Sequence, residues 1–238
     1  MKPLGYRAYG SIAHLPNSRI GVGDHHCHEG QARIATEKVR DRHDIVIVQE
    51  KLDGSNVAVA KFNGLLIPLT RSGHDAASSP YAQHLHWASW VAKRHTLFDA
   101  LLREGERICG EWLLQAHGTR YDLTNQSPFV AFDLFLDKDT RLPYEAFLHR
   151  SHNFELSTIR ALFYGNEAIN VEKALEAVNQ SHYGAIDEVE GAIWRVERKG
   201  EVDFLAKFVR HDKQDGYFLP HHNGLEREIW NLPPALLD

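Results

Sequence analysis

Lys51 stands where a lysine can do chemistry. It follows an apolar run, Ile45-Val46-Ile47-Val48, that reads as a strand over about 44–50, and an Asp53-Gly54 pair comes next as a hairpin turn or bend. That geometry fixes one ammonium on the wall of a sheet, with the Asp53 carboxylate two residues away. A lysine attacks only when neutral, and at its ordinary pKa of about 10.4 fewer than about one in a thousand is neutral at pH 7. Desolvation and neighbouring cations lower that pKa and turn a fixed lysine into a nucleophile. The four-residue pattern alone fits equally well an ordinary strand end with a surface lysine.

Further short motifs follow in order. After Glu50-Lys51-Leu52-Asp53-Gly54-Ser55-Asn56 come Thr70-Arg71-Ser72-Gly73, Cys109-Gly110-Glu111-Trp112 and Phe129-Val130-Ala131-Phe132-Asp133. Glu190-Gly191-Ala192-Ile193 and Leu205-Ala206-Lys207-Phe208-Val209-Arg210 complete the set. Each alone is commonplace: Phe132 and Ile193 alternate in apolar strands as core residues do, and Glu111 and Glu190 alone read as solvated acids. Taken in this order, the set resembles the covalent nucleotidyltransferases, that is, DNA ligases, RNA ligases and mRNA capping enzymes. The wording is closest to the ATP-dependent RNA ligases.

The resemblance implies a reaction and a role for each motif. Lys51 would attack the α-phosphate of ATP, expel pyrophosphate and hold AMP as a lysyl phosphoramidate. AMP would then pass to an RNA 5′-phosphate, and a 3′-hydroxyl would attack to seal the ends. Lys207 would contact the α-phosphate, where charge develops. Glu190 would help hold Mg²⁺ (or Mn²⁺), aided by Asp53, since magnesium suits carboxylate, water and phosphate ligands. Glu111 would accept from the ribose, Phe132 and Ile193 would close the two faces of adenine, and backbone near Glu50 would read its edge. Arg71 would bind phosphate, and Asn56 would orient AMP or the RNA 5′-phosphate. The last motif departs from the family pattern of two lysines spaced by one residue: only Lys207 is present, with Leu205 and Val209 two positions away, and Arg210 is a candidate for the missing charge.

These residues need a framework of strands. The pattern predicts strands at about 44–50, 55–62, 65–70, 106–114, 128–136, 190–197 and 202–209, with Asn63-Gly64 as a hairpin turn. It predicts a helix from about 80 to 103, with Trp87, Val91, Phe98 and Leu102 on one face, and another at 171–180; residues 144–163 read as helical or mixed. The expected class is α+β. By resemblance it is a nucleotidyltransferase (ATP-grasp-like ligase) domain of two packed, mainly antiparallel sheets with flanking helices. Residues 1–43 are expected to pack on an adenylyltransferase domain at 44–210, followed by a short C-terminal extension at 211–238 that leaves no room for an OB-fold domain.

Composition agrees with an ordinary globular protein, at 43% hydrophobic and 25% charged residues over 238 residues. No membrane-length apolar run or signal-peptide core is present, and two cysteines give no disulfide framework, so the cytoplasm is the expected compartment. The formal charge of −5 argues against a general nucleic-acid coat but leaves room for a local groove. Arg195, Arg198, Lys199, Lys207, Arg210 and Lys213 form a weak basic patch. His25-His26-Cys27-His28 reads as a polar loop in preference to an RNA contact or a metal site, because no second Cys/His pair stands at the usual spacing. The expected partners are RNA ends with a 5′-phosphate and 3′-hydroxyl, together with an end-healing kinase or phosphatase. The alternatives are a DNA ligase or a capping-type guanylyltransferase, and a non-catalytic nucleotide- or RNA-binding module of the same fold.

Overall fold

The computed structural model describes residues 2–220, 224 and 227–237. In chain order the elements are β1 (Ala13–His14), α1 (Glu29–Thr36), β2 (Asp44–Lys51), β3 (Ser55–Phe62), β4 (Leu65–Thr70), α2 (Ala82–Lys93), α3 (His95–Leu101) and β5 (Arg107–Trp112). Then come β6 (Phe129–Phe135), α4 (Tyr144–His152), β7 (Ala161–Gly165), α5 (Val171–Val178), β8 (Gly191–Arg198) and β9 (Glu201–Val209). Two sheets result, one ordered β1-β9-β8-β2-β7 and the other β4-β3-β5-β6. All neighbours are antiparallel except β1 and β9. The expected α+β fold of two mainly antiparallel sheets is the one found.

All seven predicted strands form. Two more, β1 and β7, were not predicted; β1 has only two residues, too few for a period-2 pattern to register. The helix expected at 80–103 is broken at Arg94 (φ −110°, ψ 25°) into α2 and α3. The break turns Phe98 edge-on to Trp87, with ring centroids 6.5 Å apart, so both helices share one core. That core also takes Trp90, Trp112 and Phe129, the last 4.7 Å from Trp87. A second core lies under α1 and α5, built on Val46, Val48, Trp194 and Val196.

The two sheets are tied by a buried ionic network. Arg195 of β8, 1% exposed, reaches Asp133 of β6 at 2.5 Å and Glu197 at 2.6 Å, and donates to the Leu142 carbonyl at 2.6 Å. Asp133 also accepts from the Tyr9 hydroxyl (2.6 Å) and Arg141 Nε (3.1 Å). Removing one partner leaves the other buried charges uncompensated, so Asp133→Ala is expected to lower stability by about 3–5 kcal/mol in urea unfolding. A loss of less than about 1 kcal/mol, the scale of an exposed pair, would contradict this role.

The predicted basic patch at 195–213 is not an exposed surface. Arg195 is internal, Arg198 is taken by Asp41 and Asp44, and Lys213 donates to the carbonyls of Gly118 and Glu188. Strand alternation sends half of such a run inward, and linear charge counting cannot show which half.

Candidate active site

A cavity of about 1090 Å³ opens between the two sheets. Glu50, Lys51, Asn56, Arg71, Glu111, Phe132, Ile193 and Lys207 all line it. Register explains much of this convergence: Gln49 of β2 pairs with Ile193 of β8, which pairs with Lys207 of β9, placing three residues in one row across the sheet. On the other sheet Asn56 of β3 pairs with Glu111 of β5. Asp53 and Glu190 are not among the lining residues and stand beside Lys51 instead.

The Lys51 ammonium donates to Glu190 Oε2. Burial works to strip the Lys51 proton, but Glu190 and Asp53 outweigh it, and the net pKa is raised. The lysine is therefore held charged while Glu190 is free to pair with it. Burial pushes the Glu190 carboxyl up, against the pull of Lys51. Burial likewise carries Glu111 up to about 8, opposed by Lys51 and reinforced by Glu190 and Asp53.

Backbone contacts fix the turn after Lys51. Asp53 N–H donates to the Tyr121 hydroxyl (3.0 Å), Gly54 N–H donates to Glu111 Oε1 (3.1 Å), and Asp53 Oδ2 accepts from Gly118 N–H (2.8 Å). A Cβ on Gly54 would lie 2.5 Å from the Trp112 carbonyl oxygen, so the approach of β5 requires glycine there. Gly191, paired with Lys51, is equally constrained: its Cβ would sit 1.9 Å from the Phe208 oxygen.

The remaining residues fall into place around this centre. Phe132 stands edge-on to Tyr9 at 5.0 Å, and Ile193 lies on the opposite sheet. Asn56 Oδ1 is buried without a hydrogen-bond partner. Arg71 is exposed and donates to Ser11 Oγ (3.2 Å). Lys207 faces the cavity beside Leu205, while Arg210 reaches away to Asn179, so Arg210 does not supply the second cation of the usual motif. His117 bonds Gln83 Oε1 at 2.9 Å, and burial with the nearby Lys51 charge pushes its pKa to about 4. His25-His26-Cys27-His28 leads from β1 into α1, and among the described residues no group of three metal-ligating side chains converges anywhere.

The Glu50 side chain has a structural task. Its carboxylate accepts from Ser181 Oγ (2.7 Å) and His182 N–H (3.3 Å), and burial still lifts its pKa to about 7. A carboxyl raised in the folded state contributes stability that is full below its unfolded pKa and lost as pH rises through the folded value. Stability should therefore fall between about pH 4.5 and 7 by an amount on the order of 2–3 kcal/mol from this group. Glu50→Gln should flatten that slope in urea titrations at pH 5 and 8; an unchanged slope would contradict the assignment.

Sequence reasoning expected residues 1–43 to pack on the catalytic domain but named none of them as site residues. Arg7, Tyr9, Gly10, Ser11, Ile12 and Asp24 also line the cavity. Their contacts span up to 183 positions of sequence, and no local pattern signals them.

The fold and site define a class: a two-sheet α+β domain with a lysine held at the wall of an inter-sheet cavity, as in the covalent nucleotidyltransferases. The RNA ligase family model matches residues 44–209, and the chain belongs to that family. Three solved structures of Naegleria gruberi RNA ligase variants share the fold. A variant with ATP and Mn is 15% identical (TM-score 0.52), covering 85% of this chain and 60% of its own. An apo variant is 16% identical (0.51), covering 71% and 50%, and a variant with AMP and Mn is 14% identical (0.50), covering 86% and 61%. This chain thus spans half to three fifths of the length of those ligases. No curated protein sequence matches. No helix among the described residues is long and apolar enough to cross a membrane.

Proposed function

We propose that this chain is an ATP-dependent RNA ligase that joins 5′-phosphate and 3′-hydroxyl ends through lysyl-AMP. The observation that carries the reading is Lys51 at the cavity wall, pinned by Glu190, with Lys207 in the same cavity. Lys51 Nζ attacks the α-phosphorus of ATP, a P–N bond forms, the bond to the pyrophosphate oxygen breaks, and the lysine loses its protons to base or water. Lys207 offsets the charge that grows on the α-phosphoryl oxygens. Phe132 and Ile193 hold the purine from the two sheets, and Glu111 accepts from the ribose. The RNA 5′-phosphate oxygen then displaces Lys51, and the 3′-hydroxyl oxygen displaces AMP.

Lys51 must become neutral before it attacks, and Glu190 opposes this in the ligand-free site. The carboxylate set fits a divalent cation of the magnesium type: one or two acids with no closed protein cage, so that phosphate and water must complete the shell. Glu190, aided by Asp53, would hold the cation, which would supply charge neutralisation at the phosphates. A Glu190 carboxylate shared with the cation would hold the Lys51 ammonium less strongly, and the burial of Lys51 would favour its free amine.

The test supplies RNA with a 5′-phosphate and a 3′-hydroxyl, as single strands and as a nicked duplex, and in parallel a nicked DNA duplex, with Mg²⁺ and either ATP or GTP. Sealing with ATP is expected. Sealing of nicked DNA alone would move the reading to a DNA ligase, and labelling by GTP alone to a capping-type enzyme.

A further inference from the structure

Lys207 is held by residues that precede the family match. Its Nζ lies 3.4 Å from Asp24 Oδ2, and His14 Nε2 lies 2.9 Å from the same oxygen. His14, 1% exposed, is the register partner of Lys207 in the parallel pairing of β1 with β9. Its Nδ1 is 2.6 Å from Ser18 Oγ, which accepts from Val209 N–H at 2.9 Å. The Asp24 carboxylate only accepts, so the 2.9 Å contact places a hydrogen on His14 Nε2, and in the neutral ring Nδ1 then accepts from the Ser18 hydroxyl. The contacts form a closed circuit, from the backbone of Val209 through Ser18, His14 and Asp24 to the side chain of Lys207.

The circuit answers a local problem. Lys51 and Lys207 are two ammoniums in one cavity, and burial and Lys51 both press Lys207 to give up its proton. Asp24 opposes this, and its own carboxyl is held below the usual range by His14 and Lys207 against the effect of burial. Where the family pattern has a second lysine, Leu205 lines the cavity and Arg210 points elsewhere. The one remaining cation of this strand is thus held by an acid from the N-terminal segment.

We propose that Asp24, oriented by His14, is a positioning residue for nucleotidyl transfer, holding the Lys207 ammonium at the cavity wall where the α-phosphate reacts. The inference rests on the RNA-ligase reading of the site. Asp24 lies on a partly exposed loop with its side chain 26% accessible, so the isosteric Asp24→Asn change removes charge without opening the core.

Two measurements test it. In single-turnover adenylation, Asp24→Asn should lower the rate at saturating ATP roughly tenfold, within the coupling that contacting residues show, and leave the half-saturating ATP concentration within about twofold. Asp24→Glu should recover part of that rate. Lys207→Met should be slower still, and adding Asp24→Asn to it should cost nothing further, whereas a merely structural role would multiply the two losses. In the nucleotide-free protein, limiting acetic anhydride with peptide mapping should modify Lys207 several-fold more in Asp24→Asn than in wild type, because a released lysine is more accessible and more often neutral. Wild-type transfer rates, multiplicative losses, or unchanged Lys207 acylation in Asp24→Asn would each overturn the inference while leaving the ligase reading in place. Absence of any adduct in the wild-type protein would overturn both.

Discussion

Lys51→Ala is expected to form no covalent adduct with AMP, yet still to seal RNA that already carries a 5′-adenylate. The first half follows from the proposed mechanism, in which the adduct bond is made by Lys51 Nζ, the amine held at the cavity wall against Glu190. Lys207 also faces the cavity, but it is held by Asp24 and has no comparable turn to fix it. Loss of a nucleophile costs at least about a thousandfold in rate, and labelling from ATP should drop below detection. Lys51→Arg should do the same, since arginine stays protonated and cannot supply a lone pair. The second half follows because attack by a 3′-hydroxyl on adenylated RNA does not use the amine. Normal labelling of Lys51→Ala would place the adduct on another residue.

Asn56→Ala separates the two halves in the opposite direction. Asn56 lines the cavity as the register partner of Glu111, and its Oδ1 is buried without a hydrogen-bond partner. A buried carbonyl oxygen left unpaired costs about 1–3 kcal/mol, which a ligand donor can recover. In the proposed mechanism adenylation depends on Lys51, Lys207 and the purine pocket, so the variant should keep much of it. Sealing also requires the RNA phosphate and hydroxyl to be aligned within near-attack distance, and loss of alignment of this kind costs about a hundredfold. Sealing of pre-adenylated RNA should fall by that order. Equal loss of both activities, or loss of neither, would remove Asn56 from the sealing step.

The central part of the site was legible in the sequence because its motifs are local. Lys51, the Asp53-Gly54 turn, Glu111 and Glu190 each sit at a strand end or beside a glycine, where backbone geometry and chemistry are set within a few residues. Strand periodicity located β2, β3, β4, β5, β6, β8 and β9 for the same reason. What escaped was long-range. His14 and Asp24 reach Lys207 only because β1 pairs with β9, a parallel contact between elements at opposite ends of the chain. Arg195 looked like part of a basic surface and lies in the interior, where Asp133 and Glu197 compensate it. The break at Arg94 was hidden because both α2 and α3 keep an apolar face toward the same aromatic cluster. The charge state of Lys51 also differed from the expectation of a depressed pKa: the carboxylates of Glu190 and Asp53 beside it outweigh burial and raise the pKa.

The most direct measurement is the intact mass and peptide map of the wild-type protein after incubation with ATP and Mg²⁺ without RNA. A mass gain of one AMP per chain, located on the peptide containing Lys51 and reversed by added pyrophosphate, is the predicted result. No mass gain, or an AMP located on any other residue, would contradict it.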